Sequence, residues 1–288
     1  MLETIRHAPI DVGALVRRSY RHLGEDFRRL LLVSLGAAFA LGLCELTIAS
    51  FADLWFGDDR KPADFTSGWG LILGIAAFGL GILRYLLLVA VAVHWHRSIL
   101  AGEHSWRTLQ IGGREARYFL WLVAWVAAFV VVMILVYSTL RYAGMEFSLS
   151  EWLGIGEPPV DEDGQLWRVL ISVAAYAVLI APFYVIALVL PAKAVDDKEF
   201  GFLSALTATR GNFWRIAIAS LFFKPPILAL MLLAFGVGDA IANDGGLPLR
   251  FLTSVLVDAA MFMWVCLEAG FLSFVYQALR GGVATAER

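Results

Sequence analysis

Apolar positions along this chain run in long blocks, without the short alternation of a half-buried strand or the single stripe of a surface helix. A helix that crosses a bilayer needs about 20 mostly apolar residues. Six stretches meet that requirement, roughly 30–54, 69–95, 117–140, 168–191, 213–241 and 250–277. The pattern predicts an all-α fold, a polytopic membrane bundle of about six transmembrane helices, with residues 1–288 forming one integral membrane domain. The fifth stretch contains Pro225 and Pro226, which cannot donate backbone hydrogen bonds, so the helix is expected to break or kink there. Tryptophan and tyrosine gather near the span ends, among them Trp95, Tyr118, Tyr142 and Trp214, as interfacial aromatics do.

Between the spans, the polar segments have a helical rhythm of their own. Val12, Leu15, Val16, Ser19 and Leu23 share one face, with Arg17, Arg18 and Arg21 off it, which predicts an amphipathic helix lying on the membrane surface. After the fourth span, Asp196 and Glu199 have the spacing of a capping box ahead of Phe200, Leu203 and Leu206. The span starts also rhyme. Asp26-Phe27-Arg28-Arg29 stands beside Asn212-Phe213-Trp214-Arg215, with a fainter echo at Arg117-Tyr118-Phe119. Two readings fit: three parallel copies of an interfacial helix plus two spans, giving a pseudo-threefold bundle, or the general habit of spans to begin with a base and an aromatic.

Composition agrees with a lipid-solvated chain. Of the 288 residues, 60% are hydrophobic and 17% charged, against about 25% charged in soluble domains. The spans consume the length and leave no room for a separate catalytic domain. The net charge of −2 matters less than its distribution. Of 23 Lys and Arg, sixteen fall in the terminal segments and the second and fourth loops, and five on the opposite side. By the positive-inside rule both termini are expected on the cytoplasmic side of the membrane. The first 29 residues hold six arginines and no continuous apolar core, so a signal peptide is not expected. The opposite side carries the run Asp161, Glu162, Asp163, either a solvated loop or an attractor of cations or a basic partner. Cys44 and Cys266 lie inside apolar stretches at different depths and read as unpaired small hydrophobes.

The stretch Leu190, Pro191, Ala192, Lys193, Ala194, Val195, Asp196, followed by Ala205 to Arg215, resembles the signature of a family of bacterial six-helix inner-membrane proteins whose activity is unassigned. His96, Arg97, Gly102 and Glu103 are similar to the same pattern. That family includes the membrane region preceding the catalytic domain of some glycerophosphodiester phosphodiesterases. The likeness in layout covers most of the chain, and the specific motifs cover about thirty residues. The resemblance implies an integral membrane protein. No position here matches that enzyme's metal-binding or catalytic residues, so its activity is not carried over.

Nucleophile elbows and phosphate-binding glycine loops are missing from the sequence. His7, His22, His94, His96 and His104 all fall on the cytoplasmic side. They read as interfacial, because the two-residue spacing of His94 and His96 sends those rings to different helix faces. Gly36, Ala40, Gly70, Gly74, Gly79 and Gly81 read as small-residue packing surfaces. The unusual feature is charge inside the spans, at Glu45, Arg84, Lys224, Asp258 and Glu268. Such groups either pair to fix the helices or line a wet path. Counting 1.5 Å per residue from the span ends, the expectation is an inner cluster of Arg84, Glu268 and Lys224, with Glu45 and Asp258 separate and above it. No catalytic residue, metal or cofactor is assigned. The functional expectation is a noncatalytic module that organises lipids or a protein partner, meeting anionic headgroups at the cytoplasmic face through Arg17, Arg18, Arg21, Arg210 and Arg215, with no role for nucleic acid. The alternative is a small transporter or flippase-like protein that uses the intramembrane charges.

Overall fold

The computed structural model describes residues 9–56, 68–103, 112–142, 183–226 and 247–286, together with positions 229, 233 and 236. Regular structure among these residues is helical: α1 (Val12–Glu25), α2 (Phe27–Phe56), α3 (Gly68–Leu100), α4 (Gly113–Tyr142), α5 (Phe183–Ala194), α6 (Phe202–Ala208), α7 (Phe213–Phe223) and α8 (Leu247–Ala286). Four of them, α2, α3, α4 and α8, are long and apolar enough to cross a membrane. Large apolar side chains stand exposed along them, among them Leu32, Phe78, Leu120 and Leu135, a surface that suits lipid and not water. Of the expected fourth and fifth spans the described parts are α5 and α7; residues 168–182 and most of 227–241 lie outside the described residues, as does the acidic run at 161–163. α7 ends at Phe223, directly before Lys224, Pro225 and Pro226, as the missing proline donors require.

α8 is the hub. Its most apolar part is 61% buried, against 6% for those of α3 and α4. Against α2 it packs antiparallel: Ala38 lies in one cluster with Ala259 and Val255, and a Cβ on Gly42 would come within 2.9 Å of Val255 Cγ2, so only glycine allows this approach. Against α3 it runs parallel with a nearly constant offset, 174 residues from Arg84 to Asp258, 177 from His96 to Ser273 and 178 from Ile99 to Gln277. Trp95 seats its indole on Gly270, where an added Cβ would meet Nε1 at 3.2 Å. Gly42 and Gly270 are thus glycines that packing requires. Gly36, Gly79 and Gly81 have open space where a side chain would stand, because they point away from the helix contacts. Trp95 and Tyr118, expected at the interface, are only 1% and 4% exposed.

α1 has the expected amphipathicity and a different neighbour. Asp11 caps it by accepting from the Ala14 N–H at 3.0 Å. Leu15 and Ser19 are buried, and Val12, Val16, Tyr20 and Leu23 pack on the main core. The Tyr20 hydroxyl donates to the Phe223 carbonyl. The Ile10 N–H donates to Asn212 Oδ1 at 3.0 Å, and Arg215 returns a bond to the Ile10 carbonyl at 3.3 Å. The apolar face of α1 thus lies on α2, α7 and α8, where lipid had been expected. Arg17, Arg18 and Arg21 remain exposed.

The capping box is also corrected. Asp196 sits at φ 58°, in the left-handed region that Asp tolerates better than most residues, and α6 begins six residues later behind Gly201. It is Asp197 that accepts backbone bonds, from Glu199 at 3.0 Å and Phe200 at 3.2 Å. Cys44 and Cys266 are both free, with Cys44 exposed and Cys266 buried.

Candidate functional site

The charged residues inside the spans form two separate clusters, and their membership differs from the depth count. In the first, Arg84 of α3 pairs with Asp258 of α8, its Nη2 donating to Oδ2 at 3.1 Å and its Nε standing 3.0 Å from Oδ1 without hydrogen-bond alignment. The same Nη2 bonds Glu45 of α2, and Ser254, one turn before Asp258 on α8, donates to the other Glu45 oxygen. Asp258 is almost fully buried, its side chain 5% exposed, while those of Arg84 and Glu45 are 35% and 32% exposed. Three helices meet on one guanidinium.

In the second cluster, Lys224 lies 3.3 Å from Glu268. The Tyr184 hydroxyl of α5 donates to the same carboxylate at 3.1 and 3.2 Å. The ammonium also stands 5.0 Å from the Tyr184 ring centre, a cation–π arrangement. Lys224 holds the break between α7 and the prolines, so this pair ties that break to α5 and α8.

Arg84 and Glu268 therefore do not meet, and Glu45 and Asp258 are the partners of Arg84. The parallel register of α3 and α8 supplies the reason. Arg84 is level with Asp258, and Glu268 lies ten residues further along α8, about 15 Å at 1.5 Å per residue. A count from assumed span ends could not see this, because α8 extends well beyond the apolar stretch. Ser254 and Tyr184 were missed. The four-residue spacing of Ser254 and Asp258, which puts both on one helix face, was the available signal for the first; none was available for the second.

A third polar centre was also missed. His96 is fully buried, with Nδ1 2.7 Å from Ser273 Oγ and Nε2 3.1 Å from the Tyr118 hydroxyl. Ser273 is 0% exposed as well. The interfacial reading of His96 is thus overturned: the ring links α3, α4 and α8 through donors and acceptors that have no water to turn to. The contact of a serine with an imidazole carries no nucleophilic role here, since both groups are sealed in packed side chains.

At the end of the bundle that carries α1, charges form a surface network. Asp196 accepts from Arg114 at 2.7 Å and Arg117 at 2.9 Å, and the Arg114 bond, foremost, holds its carboxyl below the ordinary carboxylate range. Partial burial acts to raise Asp197, but the Tyr276 hydroxyl, the Glu199 and Phe200 N–H groups and Arg280 outweigh it and leave that carboxyl low. Both acids therefore stay ionised at neutral pH. Arg97 bonds Glu103 at 2.7 Å and the Ala194 carbonyl at 3.3 Å. Of the anticipated basic surface, Arg17, Arg18, Arg21, Arg210 and Arg215 are all exposed, and Arg18 also lies 4.5 Å over the Phe274 ring. Among the described residues, no group of three or more His, Cys, Asp or Glu side chains is placed to hold a metal ion.

Compared with protein-family models, curated proteins and solved structures, the chain gives no match.

Proposed function

We propose that this chain is a noncatalytic membrane module that organises anionic lipid, or a protein partner, through a fixed basic surface at one end of the bundle. The observation that carries this reading is the seating of α1. With Leu15 and Ser19 buried and Ile10 tied to Asn212 and Arg215, the exposed Arg17, Arg18 and Arg21 are held in place on the bundle, and Arg210 and Arg215 are exposed as well. A basic residue near an anionic leaflet gains about 1 kcal/mol, so five exposed arginines favour anionic headgroups. The internal charges support the same reading, because each cation there has a carboxylate partner and acts as a helix tie.

In this proposal the protein resides in a bacterial inner membrane with six spans in three parallel repeats and both termini in the cytoplasm, like the family it resembles. A topology reporter fused after Arg288 is expected to read cytoplasm, and one within residues 150–165 periplasm. A periplasmic reading from the C-terminal fusion reverses the orientation. For the lipid role, full-length protein is extracted with its surrounding lipid in polymer discs and the lipid counted by mass spectrometry. Anionic lipid is expected to be enriched over the bulk membrane, and glutamine at the five arginines is expected to reduce the enrichment. A bulk ratio around the wild type overturns the proposal.

The partial exposure of Glu45 and Arg84, about a third of each side chain, favours the second reading, a transporter or flippase-like protein. Lipid or ion flux in proteoliposomes of the wild type would select it.

A further inference from the structure

The turn between α5 and α6 borders a small open cleft of about 30 Å³ lined by Arg117, Lys193, Asp196, Asp197 and Lys198. Its acids are committed. Asp196 is held by Arg114 and Arg117. Asp197 is held by Tyr276, Arg280 and two backbone N–H groups. Its lysines are not: among the described residues, neither Lys193 nor Lys198 has a carboxylate within ion-pair distance. Lys193 stands 5.6 Å over the Trp121 ring, a contact that orients the ammonium and leaves its charge uncancelled. Arg117 is 58% exposed despite its bond to Asp196. The cleft thus carries the charge of two lysines beyond what its committed carboxylates pair with.

A second feature leads away from this charge. On α4, at helical spacing from Arg117, lie Leu120, Ala124, Ala127 and Val131, all exposed, with Leu120 at 65% and Val131 at 54%. This apolar stripe runs from the cleft along a helix long and apolar enough to span a bilayer. A free phosphate would use the charges and leave the stripe bare. A phospholipid uses both.

We propose that this cleft is a binding site for an anionic phospholipid, with the headgroup phosphate between Lys193, Lys198 and Arg117 and an acyl chain along Leu120, Ala124 and Val131. Asp196 is the positioning residue that aims Arg117. The site rests on the lipid-organising reading and gives it one particular location, separate from the arginines of α1.

Native mass spectrometry of the full-length protein, titrated in turn with phosphatidylglycerol and phosphatidylcholine, tests it. Wild type is expected to prefer phosphatidylglycerol. Lys193→Gln with Lys198→Gln is expected to cut that preference about 30-fold, from about 1 kcal/mol per basic residue, and Lys193→Arg is expected to retain it, which separates lost charge from lost folding. Glutamine at Arg17, Arg18 and Arg21 is expected to lower the overall preference but to leave the part that the two lysines supply in place. A preference unchanged in the double lysine variant, or lost only in the α1 variant, overturns the cleft and leaves the general lipid reading standing. No preference in wild type overturns both. Displacement of the lipid by millimolar inorganic phosphate would overturn the assignment to a lipid, and survival of the complex supports it.

Discussion

Arg84→Leu is expected to destabilise the folded protein by about 3 to 5 kcal/mol, because it leaves two carboxylates in apolar surroundings with no cation. Asp258 is the decisive one. Its side chain is 5% exposed and faces the guanidinium through both oxygens, so neither solvent nor another base can take over. The partial exposure of Arg84 and Glu45 gives little relief where the surroundings are lipid, which cannot hydrate an ion. Unfolding in mixed micelles measures the loss, and a double-mutant cycle assigns it. Arg84→Leu and Asp258→Leu together are expected to cost clearly less than the sum of the single changes, since the second removes a charge that the first orphaned. Arg84→Leu with Glu268→Leu is expected to be additive within about 0.5 kcal/mol, as for sites that share no partner. Additive losses at Arg84 and Asp258 would mean that the pair is solvated, and the bundle would then contain a water path.

His96→Ala is expected to cost about 4 kcal/mol. The ring is fully buried, so its removal opens a cavity, and it also strands Ser273 Oγ and the Tyr118 hydroxyl, its partners at 2.7 and 3.1 Å. A stranded buried polar group costs about 1 to 3 kcal/mol, and the cavity adds to that. Ser273→Ala added to His96→Ala is expected to recover part of the loss by removing one orphan, and Tyr118→Phe alone to cost about 1 kcal/mol. The same micelle unfolding reads all of these. A loss below about 1 kcal/mol in His96→Ala would show that water reaches the ring and that it does not lock the helices.

How much of this was legible beforehand depends on the range over which each feature is determined. The long apolar helices, the break before Pro225 and the amphipathic face of α1 follow from length, period and residue chemistry within a single segment. Four candidate spans, the end of α7 at Phe223 and the burial of Leu15 and Ser19 agree with that reading. Which residues would be charged inside the spans was equally plain, because an isolated Arg, Lys, Asp or Glu in an apolar run stands out whatever surrounds it.

Partnership was another matter. Arg84 joins Glu45 and Asp258 across separations of 39 and 174 residues, and which carboxylate it meets depends on the sliding register of one helix against another. That register is set by shape, by Gly42 against Val255 and Phe251 and by Trp95 on Gly270. The surroundings of α1 likewise depended on α2, α7 and α8 being there to cover its apolar face before lipid could. His96 went from interface to core for the same reason: Ser273 lies 177 residues away, and nothing local distinguishes a ring that touches headgroups from one that ties helices together. The sequence by itself determined which segments are apolar helices and which charges they carry, since solvation acts on each residue alone. Only the tertiary structure decided which charges pair, because pairing is a matter of a few ångströms between segments that the chain does not connect locally.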